Sequence, residues 1–303
     1  QINRFLELVN DEMDRFPADR PIRIIDFGCG KSYLTFILYY YLVHVRKMDV
    51  SITGLDLKRH IVQGVPLGLQ FSVLAIGIIV MQSVVVKFDI LEGEMISNAA
   101  QNGFGAANKI NSLLMTPLNG LGSAMTSFTA QNLGAGDSKR IKKGTLQSLV
   151  IMLILAGISI LVGLLLTIDG AYLYIFLSAD KVTAETMRFG NSYLYVDLSL
   201  YVFLGFIFVV RNCVQGIGKP QFVLLAGAAE LVARVAVCLL LPAALAGGAV
   251  SAQAPQAAVY GLCAADPCAW IAADAVLFIP FMKNIMRENY DYRYGSGQTL
   301  IER

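Results

Sequence analysis

Residues 105–144 read GAANKINSLLMTPLNGLGSAMTSFTAQNLGAGDSKRIKKG. Between Lys109 and Asp137 there is no charged side chain, and the stretch then breaks at Gly134-Ala135-Gly136 into Lys139, Arg140, Lys142 and Lys143. A helix needs about 20 uncharged residues to cross a bilayer core, where every backbone group must be satisfied within the segment. A Lys/Arg cluster just past such a segment reads as a cytoplasmic anchor. The soluble alternative is a buried core helix with a solvated turn.

The remaining composition favours the membrane. Of 303 residues, 56% are hydrophobic and only 15% are charged, against about 25% charged in a typical soluble domain; mean hydropathy is +0.60. A net charge of +2 is near neutral, so no nucleic-acid partner is expected. Cys29, Cys213, Cys238, Cys263 and Cys268 have no CxxC spacing, and with two histidines they suggest neither a disulfide scaffold nor a metal site. Cys263 and Cys268 read either as small residues packed near a helix end or as a pair approaching each other near a non-cytoplasmic surface.

Residues 1–60 are of a different kind. Ile2 to Phe16 is charged and amphipathic, unlike a secretory leader. A β-prone run, Ile22 to Ile25, ends in Asp26, Gly28 and Gly30; a helix-compatible stretch from Tyr33 to Val45 follows, then a second strand-like run from Val50 to Leu55 that ends in Asp56. Strand, glycine turn, helix, strand, acid is the βαβ nucleotide-binding order.

From Gly64 onward the spacing predicts six crossing helices: about 65–86, 106–133, 145–168, 193–210, 222–246 and 269–282. Pro117 is a candidate kink in the second. Lys87 to Asn102 reads as a polar connection and 287–303 as a polar tail. Alternation puts residues 1–60, Lys139, Arg140, Lys142, Lys143, Arg211, Lys219, Lys283 and Arg287 on one side, which predicts both termini in the cytoplasm. Gly120, Gly122, Ser123 and Ala124 suit close helix approach; Tyr172, Tyr174, Tyr193, Tyr195 and Trp270 suit interfacial belts.

Two family resemblances follow these residues. IIDFGCGKSYLTF with ITGLDLK resembles the opening motifs of class I S-adenosylmethionine-dependent methyltransferases. The resemblance implies that Asp26, Gly28 and Gly30 line the cofactor turn and that Asp56 holds the ribose. It covers about sixty residues and lacks the rest of that fold, so an inactive fragment is expected, with S-adenosylmethionine a cofactor only if the fragment works. GVPLGLQFSVLAIG, ANKINSLLMTPLNGLGSAMTSFTAQNLGAGDSKRIKKG, RNCVQGIGKPQ and AELVARV resemble the C-terminal half of a multidrug and toxic-compound extrusion (MATE) transporter, over about Gly64 to Met286. That resemblance implies one six-helix bundle of two, exporting small organic, often cationic compounds from the plasma membrane in exchange for Na+ or H+, with no other cofactor. The expected fold is an all-α six-helix membrane bundle with a short Rossmann-like α/β fragment in front. The switch between resemblances at about His60–Gly64 reads as a chimera or misassembled frame, so the chain is expected to export nothing alone unless a second six-helix half joins it.

An ionisable group in lipid costs ~2.5–3.5 kcal/mol on insertion scales, so such groups are functional candidates. Lys109, Asp197, Glu230 and Arg234 stand out. Glu230 and Arg234 are one helical turn apart and can pair, either to lock helices or to serve transport. Asp197 has no local partner; it is either a hydrogen-bonded carboxylate near a helix end or, as the MATE resemblance implies, a coupling carboxylate on that helix. Lys109 can snorkel to the interface. Gln70, Asn108, Gln131 and Asn132 can hydrogen-bond substrate or hold helices together.

Overall fold

The computed structural model describes residues 2–11, 22–26, 33–54 and 57–286. The chain divides into two units, residues 1–65 and 66–303.

In the first unit, α1 (Ile2–Asp11) precedes β1 (Ile22–Asp26), α2 (Tyr33–Tyr40, continued by a π-turn over Tyr41–Val45) and β2 (Val50–Gly54). The strands pair in parallel, from Ile22 opposite Val50 to Asp26 opposite Gly54, with the helix as the crossover that parallel pairing requires. Leu38, Leu42 and Val50 form a small core with Val9, Ile22, Ile24, Met48 and Ile52 around it. Tyr41 donates from its hydroxyl to Asn10 Oδ1 at 2.9 Å and so ties α1 to this core. Asp26 closes β1; Gly28, Gly30 and Asp56 lie outside the described residues.

The second unit is helical. α3 (Leu57–Lys87) ends at a two-residue hairpin, β3 (Ile90–Leu91) with β4 (Glu94–Met95). Glu92 and Gly93 at its tip both have positive φ, 51° and 89°, as a tight hairpin turn requires. Asp89 is fully buried and caps the next helix: its carboxylate accepts from the backbone N–H groups of Ala100 and Gln101 at 3.0 and 3.1 Å. The expected polar connection is therefore a built cap.

Where one helix was expected over 106–133 there are two, α4 (Ala99–Leu114) and α5 (Thr116–Gly134), separated at Met115. Pro117 sits in the first turn of α5, where its missing N–H costs nothing, so it starts a helix and does not kink one. Ser159 of α6 (Ser138–Thr167) donates to the Leu114 carbonyl at 3.0 Å, satisfying a group freed by the break. A second pair repeats the device: α8 (Ala184–Ser199) and α9 (Tyr201–Gly216) meet at Leu200 with a 56° bend. α7 (Leu173–Phe176) precedes them; α10 (Pro220–Ala246), α11 (Gln256–Cys263) and α12 (Ala265–Phe281, continued as a π-turn over Met282–Met286) complete the unit.

By length and composition four helical stretches among the described residues can cross a membrane: 68–87, 138–170, 220–246 and 256–286; the bent α8–α9 pair makes a fifth. The α4–α5 pair is not one of them. Asn108, Asn111, Ser112, Thr116, Asn119 and Ser123 carry no charge but are polar, and lack of charge is not apolarity. α6 presents Val150, Ile151, Ile154, Ile158, Leu161 and Leu165 outward, an apolar surface suited to lipid and not to water.

α4 packs on α8 and α5 on α9, so the two breaks lie in neighbouring helix pairs. Glycine makes the crossings close. A Cβ on Gly103 would lie 2.3 Å from the Thr186 carbonyl oxygen, and one on Gly122 would lie 2.8 Å from that of Phe208. Gly120 faces open space, and Ser123 and Ala124 are exposed, so of the expected small-residue contacts only Gly122 is made. At one end of the unit the C-termini of α5 and α9 meet the N-terminus of α6 and the 282–286 turn: Thr145 Oγ1 lies 3.6 Å from Cys213 Sγ, and Lys219 donates to Asn284 Oδ1 at 2.5 Å. At the other end Ala252 N–H bonds the Ile90 carbonyl at 2.9 Å, and Gln256 bonds Ser192 at 2.7 Å.

Gly103→Ala is expected to cost about 1–3 kcal/mol by forcing backbone apart, read as a lower thermal midpoint in detergent. Gly105→Ala, with nothing within 4 Å of the added carbon, is expected to leave the midpoint unchanged or raise it.

Candidate functional site

Each break places a polar residue one turn before it. Asn111 sits near the C-terminus of α4 and Asp197 near that of α8. Because α4 crosses α8 so closely, the Asn111 amide reaches across and donates to Asp197 Oδ2 at 2.8 Å; Asp197 is fully buried. The same amide lies 3.3 Å from the Tyr193 hydroxyl, which itself donates to Asp266 Oδ2 on α12 at 3.0 Å.

From Asp266 the network continues as ion pairs. Arg234 of α10 donates from Nε to Asp266 Oδ1 at 2.7 Å and lies 3.2 Å from Glu230 Oε1. Glu230 Oε2 accepts from Arg211 of α9 at 2.7 Å. Gly77 of α3 lets that helix close over the arginine, since a Cβ there would sit 3.1 Å from Arg234 Cδ. The result is one continuous chain, Asp197–Asn111–Tyr193–Asp266–Arg234–Glu230–Arg211, drawn from five helices and almost closed to solvent. Desolvated charges are tolerable only in such mutual pairing.

Some capacity is left over. Among the described residues Asp197 Oδ1, Asn111 Oδ1 and the Tyr201 hydroxyl, all near the breaks, have no hydrogen-bond partner, and neither has either oxygen of Asp274 on α12. No group of three or more His, Cys, Asp or Glu side chains among the described residues is placed to hold a metal ion. Asp197 Oδ1 and both oxygens of Asp274 are thus buried acceptors to which no described donor is bonded.

Of the candidates named from sequence, Asp197, Glu230 and Arg234 meet in this network. The others do not. Gln70 is buried against Gly227; Asn108 is half-buried; Lys109 is exposed, its ammonium 5.1 Å from the centre of the Phe176 ring. Gln131 is exposed, and Asn132 turns its amide back to the Phe128 carbonyl at 2.7 Å. Asn111, Tyr193, Arg211, Asp266 and Asp274 were missed. Asp274 is the only charge within the span expected over 269–282, so the rule that found Asp197 applies equally to it. Tyr193, with Tyr172 and Trp270, was expected at an interfacial belt; all three are buried, Trp270 edge-on to Tyr201 with ring centres 6.4 Å apart. Tyr174 and Tyr195 are exposed.

A family model described as MatE matches residues 68–240, and one described as a methyltransferase domain matches residues 1–65. Among curated proteins the chain is similar to the "Probable multidrug resistance protein YpnP" of Bacillus subtilis (strain 168), 27% identical over 162 residues that make up 53% of this chain and 33% of that protein. Among solved structures it resembles the outward-facing conformation of a multidrug resistance MATE family transporter of the MOP superfamily, with 19% identity and a TM-score of 0.59 over 82% of this chain and 52% of the other. A MATE crystal structure in complex with MaL6 gives 20% identity and a TM-score of 0.61 over 82% and 53%. At these identities the structural likeness concerns the fold. The chain spans about a third of the curated relative and about half of each solved transporter.

Removing one member of a buried ion pair strands its partners, at about 3–5 kcal/mol. Arg234→Met is expected to lower the thermal midpoint sharply. Adding Glu230→Gln and Asp266→Asn to it is expected to recover much of that loss. A triple variant no more stable than Arg234→Met would mean that the arginine acts by packing and not by charge.

Proposed function

The chain belongs to the MatE family, and from that premise we propose that residues 64–286 form one half of a multidrug efflux transporter, a six-helix bundle that pairs with a second half around a substrate cavity. The reading counts the broken α4–α5 pair as one crossing and the bent α8–α9 pair as another. The substrates are small organic, predominantly cationic compounds, and export is coupled to Na+ or H+ through Asp197. The observation that carries the reading is the position of Asp197: a fully buried carboxylate at the break between α8 and α9, held by Asn111 at the break between α4 and α5. Transporters place ion and substrate sites at interrupted helices, where backbone groups and small residues leave room.

The orientation follows from charge. Lys139, Arg140, Lys142, Lys143, Lys219 and Lys283 all belong to segments that meet at one end of the helical unit, whereas Lys87, Lys181 and Arg188 at the other are interspersed with Glu92, Glu94, Asp180 and Glu185. The basic end is the cytoplasmic one, which puts both termini in the cytoplasm and the protein in the plasma membrane. Residues 1–60 are a Rossmann-like methyltransferase fragment joined to this half as a chimera. The parallel β1–β2 pair and the match to a methyltransferase domain support the likeness; among the described residues of this unit the sheet has two strands.

In proteoliposomes the chain alone is expected to bind a fluorescent organic cation in a pH- or sodium-sensitive way without gradient-driven uptake, and Asp197→Asn is expected to abolish that sensitivity. Uptake by the chain alone would overturn the half-transporter reading, and insensitive binding would overturn the role of Asp197. Titration calorimetry with S-adenosylmethionine is expected to give no heat of binding; a micromolar dissociation constant would make the first unit functional.

A further inference from the structure

We propose that Asp274 is a second proton-carrying site of the helical unit, separate from Asp197 and set at the opposite end of the same ion-pair chain. It deepens the transporter reading above, but its test does not require transport.

The first ground is charge. Among the described residues the buried network and its surroundings hold four carboxylates, Asp197, Glu230, Asp266 and Asp274, and two guanidiniums, Arg211 and Arg234. Two negative charges are therefore in excess. Glu230 is bonded to both arginines and Asp266 to Arg234 and Tyr193, so the excess falls on Asp197 and Asp274. A carboxylate withdrawn from water without a partner takes a proton instead of keeping its charge.

The second ground is geometry. Asp274 is 9% exposed and neither of its oxygens has a partner. α12 packs against α8, α9, α10, α11 and the 282–286 turn. The titratable and charged groups on those elements are Tyr193, Tyr195, Asp197, Glu185 and Arg188 of α8, Tyr201, Arg211 and Cys213 of α9, Glu230, Arg234 and Cys238 of α10, Tyr260 and Cys263 of α11, and Lys283. Those within electrostatic reach of Asp274 are Arg211 and Glu230. Arg211 spends one amino group on Glu230 while its Nε has no partner among the described residues. Arg211 therefore keeps an unused donor on a helix that packs against α12. When the Asp274 carboxylic acid gives its proton to water, the products are a carboxylate and a hydronium ion. The new carboxylate then competes with Glu230 for Arg211. That competition reaches Arg234, Asp266 and Tyr193 in turn, and so the far carboxylate, Asp197.

The test is a pH-difference infrared titration of the purified 303-residue chain in detergent, read at the carbonyl stretch of protonated carboxyls. Above the pH at which exposed Asp and Glu side chains have ionised, two titrating bands are expected. Asp274→Asn should remove one of them and Asp197→Asn the other. A folded Asp274→Asn chain that keeps both bands would overturn the proposal, as would loss of the Asp274 band when sodium replaces choline at constant pH, which would make the site a metal-cation site. If Asp274→Asn does not fold, Asp274→Glu should fold and show that band displaced; its absence there would also overturn the proposal. A chain that binds no organic cation but shows both bands would sink the transporter reading and leave this one standing.

Discussion

Arg234 is the group on which the interior of the helical unit depends. Its guanidinium touches carboxylates from its own helix and from α12, and through Glu230 it is linked to α9. In an apolar surrounding, none of these charges is stable without the others. A hydrophobic core would tolerate small shifts between helices; an ion-pair chain with directional hydrogen bonds fixes their register.

That chain can exist only because two helix pairs are interrupted and brought very close. Without the breaks at Met115 and Leu200, Asn111 and Asp197 would be interior residues of continuous helices, with no freed backbone nearby. Without Gly103 and Gly190, whose added carbons would lie 2.3 Å from the Thr186 carbonyl oxygen and 3.0 Å from the Gly103 carbonyl oxygen, α4 would stand too far from α8 for an Asn side chain to reach across. Met152 of α6 fills the space over Gly205, and Gly163 of α6 receives Leu114 and Leu198 beside the two breaks. Packing by small residues and polar chemistry are thus successive steps of one construction.

The legibility of this arrangement from sequence followed physical kind. Apolar runs were readable because a membrane-facing helix such as α6 is apolar on most of its circumference. The parallel strand pair in the first unit was readable because its two β-prone runs flank a helix-length gap. The α4–α5 break was not, because counting charges alone hides hydroxyls and amides, and Pro117 signals a kink and a helix start equally well. Glu230 and Arg234 were legible as a pair because they share a helix face; Arg211 and Asp266 were not, because their partners are 19 and 32 residues away in sequence. Tyr193 misled because a tyrosine in an apolar helix suits the membrane interface as well as a buried hydroxyl that needs a partner.

The balance of exposed and buried groups sets a further condition on any working assembly. α3 turns Leu69, Ile76, Ile78 and Ile79 outward, and α6 and α10 do the same with longer apolar sets, so the outer surface of the unit accepts either lipid or another apolar bundle. Charged groups lie inside as well, and the ion-pair chain uses Asp197, Glu230, Arg234 and Asp266 among them. Near the two helix breaks Asn111, Asp197 and Tyr201 keep unused polar atoms, so part of the polar capacity left in the interior is gathered there.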